Sequence, residues 1–573
     1  MTARTEKWIA IFGLLLLSFL YLGEISGYPL QDPDEGRYAE IPREMIESGD
    51  WVTPRLNYVV YFEKPPLLYW LVAISFEIFG TNEMAARVVP AVSGILVVVM
   101  TFFLGVHLVG RRAALLGAGV LATSPLFFGL AQGLAIDMLL TACMTATLGS
   151  FYGAYVSEQK KNWWVLGAVV ASALGVLAKG PVALLLPGLI ALVFLLQRRD
   201  WPTIRAFLRP VPIGVFLLVA VPWFVLVARA NPIFLHYFFI HEHFERFAAE
   251  VGHPEGPFYY IPVLLVGPLP WTAVAIGLAC LREGRRCFSE ISSEPKFFLL
   301  LWSLIIILFF SAASSKLATY ILPALPALAL LLGAWLDRCL ERSELSSGLC
   351  RILAKVMVVL GGISLLATLV AWPLESNFAQ WFGGSPADVR AIAWATLRMG
   401  LALIVPGYLI GYFFARGSLA PPVALCALIA VAGLAFFGAI PGREVVNTSR
   451  DIARAIDAEY RDGDLVVFHR RLWQGTPYYL GRRADMSGHF GEVSHGVDAE
   501  PNAEEHYWKN TDRLPAIWNS DRRVFVLTRR EQVHEVAELL GEEPRLLFRD
   551  RKRVVLVNFP SGDGPVGGTG DGS

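Results

Sequence analysis

Apolar runs of membrane-spanning length recur along most of this chain, and no other feature limits its fold so tightly. Thirteen segments read as spans: 8–26, 85–108, 112–130, 134–156, 162–178, 180–197, 206–228, 258–280, 297–313, 317–336, 352–372, 396–415 and 419–440. A helix needs roughly 20 apolar residues to cross a bilayer's hydrocarbon. Backbone groups find no water there, so such runs must close their hydrogen bonds within helices. Composition agrees: of 573 residues, 55% are apolar and only 17% charged, against about a quarter charged in soluble domains. The expected class is a polytopic α-helical membrane protein. The first run, from Trp8 to about Ser26, lacks a small-x-small exit and reads as a retained helix, not a cleaved leader.

Charge then orients the bundle. Arg111-Arg112, Lys160-Lys161, Arg198-Arg199 with Arg205, Arg282 with Arg285-Arg286, Arg338 through Lys355, and Arg416 all fall on one side. The N-terminus, with Arg4 and Lys7, shares that side, which the positive-inside rule makes cytoplasmic. Basic and acidic residues balance at 49 each, so nothing points to nucleic acid. The opposite face carries three long loops, 27–84, 229–257 and 373–395, and everything after Pro441. Residues 442–560 read as a small α/β domain: helices at 448–460 and from 530, strands at 464–468, 523–527 and from 553. The Gly-rich tail, 561–573, reads as disordered. All six cysteines lie in spans or on the basic side, so the outer face is expected to lack disulfides.

The first outer loop, within the membrane domain 1–441, opens on the densest charge cluster of the chain, "LQDPDEGRYAEIPREMIESGDW". Residues 38–48 and 66–79 read as short interfacial helices. Tyr58, Tyr61, Tyr69 and Trp70 suit the lipid headgroup zone. Asp34 sits at an apparent helix start, and the Glu63-Lys64 pair precedes a stiff Pro65-Pro66 step. A solvated loop with local ion pairs is the plainer reading of these charges.

Single charges elsewhere on this face are harder to set aside. Asp137 stands alone at the end of an apolar span: either an N-cap or a carboxylate facing a polar cavity. Lys179, in "VLAKGP", and Lys316, in "SSKLATY", are lone cations at span ends; each alone could be a snorkelling lysine. The loop 229–257 adds His236, His241, His243 and His253, with Glu242 and Arg246 spaced to pair at i,i+4. Such cations at an interface suit a lipid phosphate. No Walker motif, dinucleotide fingerprint or nucleophile elbow is present, so any group donor must reside in the membrane.

The stretch "DPDEGRYAEIPREMIESGDWVTPRLNYVVYFEKPPLLYW" resembles the N-terminal signature of the aminoarabinose transferases of lipid A modification. These are undecaprenyl-phosphate 4-amino-4-deoxy-L-arabinose transferases of the GT-C, protein-mannosyltransferase-like superfamily. Further matches follow in order: "AIDM" at 135–138, "AKGP" at 178–181, "HYFFIHEHFERF" at 236–247, "PFYYIPVLLVGPLPW" at 257–271 and "SSKLATYILPALPALA" at 314–329. The resemblance implies a GT-C fold of about thirteen spans, interfacial helices capping an outer cavity, and a periplasmic α/β domain in the bacterial inner membrane. It implies an inverting transfer of the aminoarabinose to a lipid A phosphate, a modification that resists polymyxin and other cationic peptides. Carried over by position, Asp34 is the principal catalytic acid, Asp137 the second carboxylate, and Arg37 the neighbour of Asp34. Tyr61, Lys64, His243 and Tyr320 fall near the carrier phosphate, with Lys179, Arg246 and Lys316 as further contacts. No cofactor is required; a divalent ion such as zinc near the carrier phosphate would use Glu63 and His243.

Two rivals stay open at this point. One keeps the chemistry but glycosylates protein or another envelope glycan. The other is a lipid transporter or flippase, for which buried charges are also expected; it would predict internal repeats, and none is visible.

Overall fold

A computed structural model describes residues 17–23, 25–245, 254–341, 343–382, 386–417 and 448–559. The expected span 8–26 lies largely outside these residues and 419–440 wholly outside. Eight described helices are long and apolar enough to cross a membrane: Glu83–Val109, Ile136–Val156, Lys161–Lys179, Pro210–Ala230, Ser293–Ala312, Ala318–Glu341, Arg351–Ala371 and Ile392–Phe413. The run expected at 180–197 is the shorter helix Val182–Arg198.

Two expected spans are broken. Arg111–Ala122 and Pro125–Ala131 meet at 64°, and Tyr260–Val266 and Trp271–Cys280 at 96°. Proline supplies the reason in both, at Pro125 and at Pro268 and Pro270, since it removes an intrahelical donor and clashes with the preceding turn. Elsewhere small residues let helices close up. A Cβ on Gly333 would stand 2.4 Å from the Ala113 carbonyl oxygen and 2.5 Å from the Gly117 nitrogen, a backbone approach of the kind that packs membrane helices.

The first loop is built rather than solvated. Its opening helix, Asp34–Ser48, begins one turn earlier than 38–48, with Asp34 and Glu35 in the first turn where carboxylates complement the helix dipole. Gly49, left-handed at φ 69°, ends it. A hairpin follows, β1 (Arg55–Leu56) against β2 (Val59–Val60), then the helix Leu67–Phe79. The hairpin's two turn residues, Asn57 and Tyr58, both have positive φ, as a two-residue mirror-image turn requires.

The C-terminal domain carries a six-stranded sheet. Its strands are β3 (Leu465–His469), β4 (Asp485–Ser487), β5 (Tyr507–Trp508), β6 (Val524–Arg529), β7 (Arg545–Arg549) and β8 (Arg553–Val557). They lie in the order β5-β4-β3-β6-β8-β7; β3 to β6 run parallel, while β8 pairs antiparallel with β6 and β7. Strands β4, β5 and β7 went unread in the sequence, two of them being only two or three residues long.

One apolar core joins this domain to the first loop. Tyr38, Ile41, Met45, Leu56 and Val72 from the loop pack in one cluster with Ile452, Phe468, Trp473, Met486 and Phe525. The asparagine of the hairpin turn is wholly buried and bonds across: its amide nitrogen donates to the Ala484 carbonyl at 2.7 Å and the Tyr507 hydroxyl at 2.8 Å. The loop aromatics therefore depart from expectation. Tyr61 and Tyr69 are buried against protein and not placed among headgroups.

Candidate active site at the junction of the first loop and the C-terminal domain

Asp34 is the first residue of its helix, and its side chain is 66% exposed, open to a reacting partner. Three residues on, Arg37 lies on the same face and nearly buried. Its Nη2 stands 3.3 Å from Asp34 Oδ1 and 3.0 Å from Glu492 Oε2 of the C-terminal domain, and its Nη1 donates to the Tyr61 hydroxyl at 3.3 Å. Gln474 donates to the other oxygen of Glu492. Burial works against the Arg37 cation, but Tyr61, Glu492 and Glu63 outweigh it and hold its pKa well above the ordinary value. Burial raises the Glu492 pKa, with Arg37 opposing.

A second group gathers around Lys64. Its ammonium stands 3.3 Å from Glu242 and 3.9 Å from Glu63, and it donates to the Glu63 carbonyl at 2.9 Å. Glu242 thus meets Lys64, whereas the sequence spacing suggested Arg246, which lies outside the described residues. His243 falls in a π-helical turn, His236–Glu245, but its side chain is likewise outside them. Glu63 also reaches Arg37, Tyr61 and Glu492 electrostatically, which ties this group to the first.

The third group is Asp137 with Lys179. Asp137 opens the helix Ile136–Val156 without capping it; its carboxylate instead takes the ammonium of Lys179, the last residue of the helix Lys161–Lys179. That ammonium also lies 4.4 Å from the centre of the Tyr320 ring, a cation–π arrangement. The two lone charges of the sequence are therefore partners, buried together at the ends of adjacent helices. Tyr38 links this pair to Asp34. Burial raises its pKa; Arg37 opposes, while Asp34 and Asp137 both add to the rise. Tyr38 also packs in one apolar cluster with Ile136 and Ala178, the chain neighbours of Asp137 and Lys179.

Lys316 is 3% exposed, and its ammonium donates to the carbonyls of Glu255 at 2.7 Å and Ala313 at 2.5 Å. Held by main-chain carbonyls, it ties Pro254, paired with Ser315, to the neighbouring segment. As for a metal, no cluster of three or more His, Cys, Asp or Glu among the described residues could hold one, and an ion on Glu63 would confront the Lys64 ammonium.

Sequence reasoning missed Glu492, Gln474 and Tyr38. Tyr38, one turn after Asp34, was within reach of a helical-face reading. Glu492, in "HFGEVSH", carries no local signal at all.

Comparison with known proteins identifies the family. A family model of dolichyl-phosphate-mannose-protein mannosyltransferase matches residues 29–238, and one of the aminoarabinose transferase C-terminal domain matches residues 452–558. The undecaprenyl phosphate-α-4-amino-4-deoxy-L-arabinose arabinosyl transferase of Pectobacterium carotovorum is 38% identical over 428 residues, 69% of this chain and 74% of the relative. That of Edwardsiella ictaluri is 33% identical over 404 residues, 70% and 71% of the two chains. The chain belongs to this family of arabinosyl transferases. It is a glycosyltransferase of the GT-C fold. The crystal structure of ArnT from Cupriavidus metallidurans bound to undecaprenyl phosphate superposes with a TM-score of 0.85 at 29% identity, covering 98% of this chain and 99% of that one; its apo form gives 0.83. In this arabinosyl transferase, then, the C-terminal domain supplies side chains to the same junction that holds Asp34.

Proposed function

We propose that this arabinosyl transferase moves 4-amino-4-deoxy-L-arabinose from undecaprenyl phosphate to a lipid A phosphate, on the periplasmic side of the bacterial inner membrane. The observation that carries the reading is that Asp34, Arg37 and Glu492 meet in one ion-pair group, with Lys64 beside it, and that the Asp137–Lys179 pair is flanked by Ile136 and Ala178 of the same apolar cluster that holds Tyr38 and Tyr61.

An acceptor phosphate oxygen attacks the anomeric carbon as the bond from that carbon to the carrier phosphate oxygen breaks. Undecaprenyl phosphate leaves as an anion and the anomeric configuration inverts. Because the acceptor phosphate is already ionised, no strong base is needed; Asp34, exposed at its helix start, orients the incoming nucleophile and the sugar. Lys64 and Lys179 offset the charge gathering on the departing phosphate, as preorganised cations do when held before the reaction starts. Tyr320 steadies Lys179, and Tyr61 steadies the neighbouring Arg37. His243 and Arg246 are assigned to the same phosphate. No step requires a metal ion.

The basic loops on the opposite side support the periplasmic assignment.

The test is reconstitution of purified protein with undecaprenyl-phosphate-linked aminoarabinose and lipid A, following transfer by mass spectrometry. Asp34→Asn and Lys64→Ala should each lower turnover by more than about a hundredfold while the protein stays folded. Transfer to protein or to another glycan in place of lipid A would refute the acceptor.

A further inference from the structure

A cluster of arginines on the C-terminal domain plays no part in the transfer just described. Arg529 ends β6 and lies directly across from Arg553, the first residue of β8. Like charges facing each other across a sheet are destabilising. Arg553 is neutralised: it bonds to Asp550 at 2.7 Å and to Asp32 at 3.2 Å. Arg529 has no such partner among the described residues, and neither has Arg471, two residues past β3. Both are exposed.

Trp473 draws the cluster together. The Arg471 and Arg553 guanidinium carbons lie 4.8 and 5.3 Å from its ring centre, and its buried Nε1 has no hydrogen-bond partner among the described residues. Arg529 and Arg553 both push down the pKa of Arg471, after burial, and Asp32 alone offsets them. The patch adjoins the catalytic junction. The residue after Trp473 is Gln474, which holds Glu492 against Arg37, and Asp32 is two residues from Asp34.

We infer that Arg471 and Arg529 form an anion subsite that grips a phosphate of the acceptor glycolipid other than the one receiving the sugar. This rests on the acceptor assigned above. Guanidinium forks match phosphate oxygens in pairs, and two exposed cations without counterions, pressed toward a third, are relieved by a dianion. The subsite is built on strands of the C-terminal domain, whereas Lys64 and Lys179 belong to the first loop and a membrane-length helix, so it serves the acceptor and not the carrier. It explains why a transferase with a lipid donor carries a soluble domain against its active site: the domain measures the acceptor.

The test is steady-state kinetics of the full-length protein in lipid, with an acceptor bearing two phosphates, its monophosphorylated counterpart, and inorganic phosphate as competitor. Arg471→Ala/Arg529→Ala should raise the acceptor KM by about tenfold, the loss of one charge-assisted pair, with less effect on kcat and on donor KM. The wild type should prefer two phosphates and the variant should not, with Arg471→Lys/Arg529→Lys restoring part of the preference. Matching thermal unfolding midpoints will exclude a folding defect. An unmoved acceptor KM, or a rise confined to the donor, overturns the subsite. If inorganic phosphate inhibits the wild type but not the variant while acceptor KM is unmoved, the patch takes free phosphate and the acceptor assignment falls. A wild type that glycosylates neither acceptor overturns the parent reading, and this one with it.

Discussion

At the scale of single residues, the site works by pairing charges that would be costly alone. Asp137 and Lys179 are 9% and 13% exposed, and removing one partner of such a pair strands the other. Lys179→Met should destabilise the protein by about 3–5 kcal/mol and abolish transfer. Asp137→Asn/Lys179→Met should recover much of the stability but none of the activity; denaturation in mild detergent beside a transfer assay separates the two. Glu492 offers a pH signature. Burial raises its pKa, so the proton binds at a higher pH than to an ordinary carboxylate, and the anion that holds Arg37 is lost as pH falls through that raised value. For stability the sign is opposite: the folded protein binds this proton more tightly than the unfolded chain, so the group's contribution declines as pH rises from the ordinary carboxylate range through the raised pKa. Transfer should therefore show an acid limb above the ordinary carboxylate range, and Glu492→Gln should lower kcat/KM about tenfold and flatten that limb. A profile unchanged by the substitution would count against Glu492. Of these residues, Asp137 and Lys179 stood out from their types and positions, because a charge beside an apolar span needs a reason, while Asp34 and Lys64 were singled out through the family resemblance. Their partners were not legible: Glu242 and Glu492 look like ordinary surface acids until the fold brings them to Lys64 and Arg37.

At the scale of elements, the helix Asp34–Ser48 is positioned by what leans on its first turn. A Cβ on Gly36 would stand 2.5 Å from the Gly475 nitrogen and 2.6 Å from its Cα, so helix and domain meet backbone to backbone. Just before the helix, Asp32 accepts from Ser449 Oγ at 2.5 Å, Gly475 N at 2.7 Å and Arg553 Nη1 at 3.2 Å. Gly36→Ala should cost about 1–3 kcal/mol through overpacking, speed proteolytic release of the C-terminal domain, and lower transfer at least tenfold. Wild-type protease resistance in that variant would show that the close approach is dispensable. Of the thirteen expected spans, eight are helices of membrane-crossing length among the described residues, and the hydrophobic runs missed the breaks at Pro125 and at Pro268 and Pro270. Proline in a membrane helix is often tolerated, so its presence alone does not say whether a span will bend.

At the scale of the whole molecule, the membrane bundle and the C-terminal domain share a core through the first loop, and the candidate site lies where they join. Truncation after residue 447 should leave a membrane-inserted protein with less than about a hundredth of the transfer activity, since Arg37 loses Glu492 and the loop loses its anchor. Supplying residues 448–559 as a separate chain should not restore it; full rescue would mean the two halves assemble without the covalent link. By itself the sequence determined that the chain is a membrane bundle with one charged face, because bilayer length and charge placement are local properties read along the chain. Only the tertiary structure decided which charges neutralise which, and that Glu492 of the C-terminal domain reaches Arg37 in the first loop. Those pairings are set by packing between distant segments, and no local pattern records them.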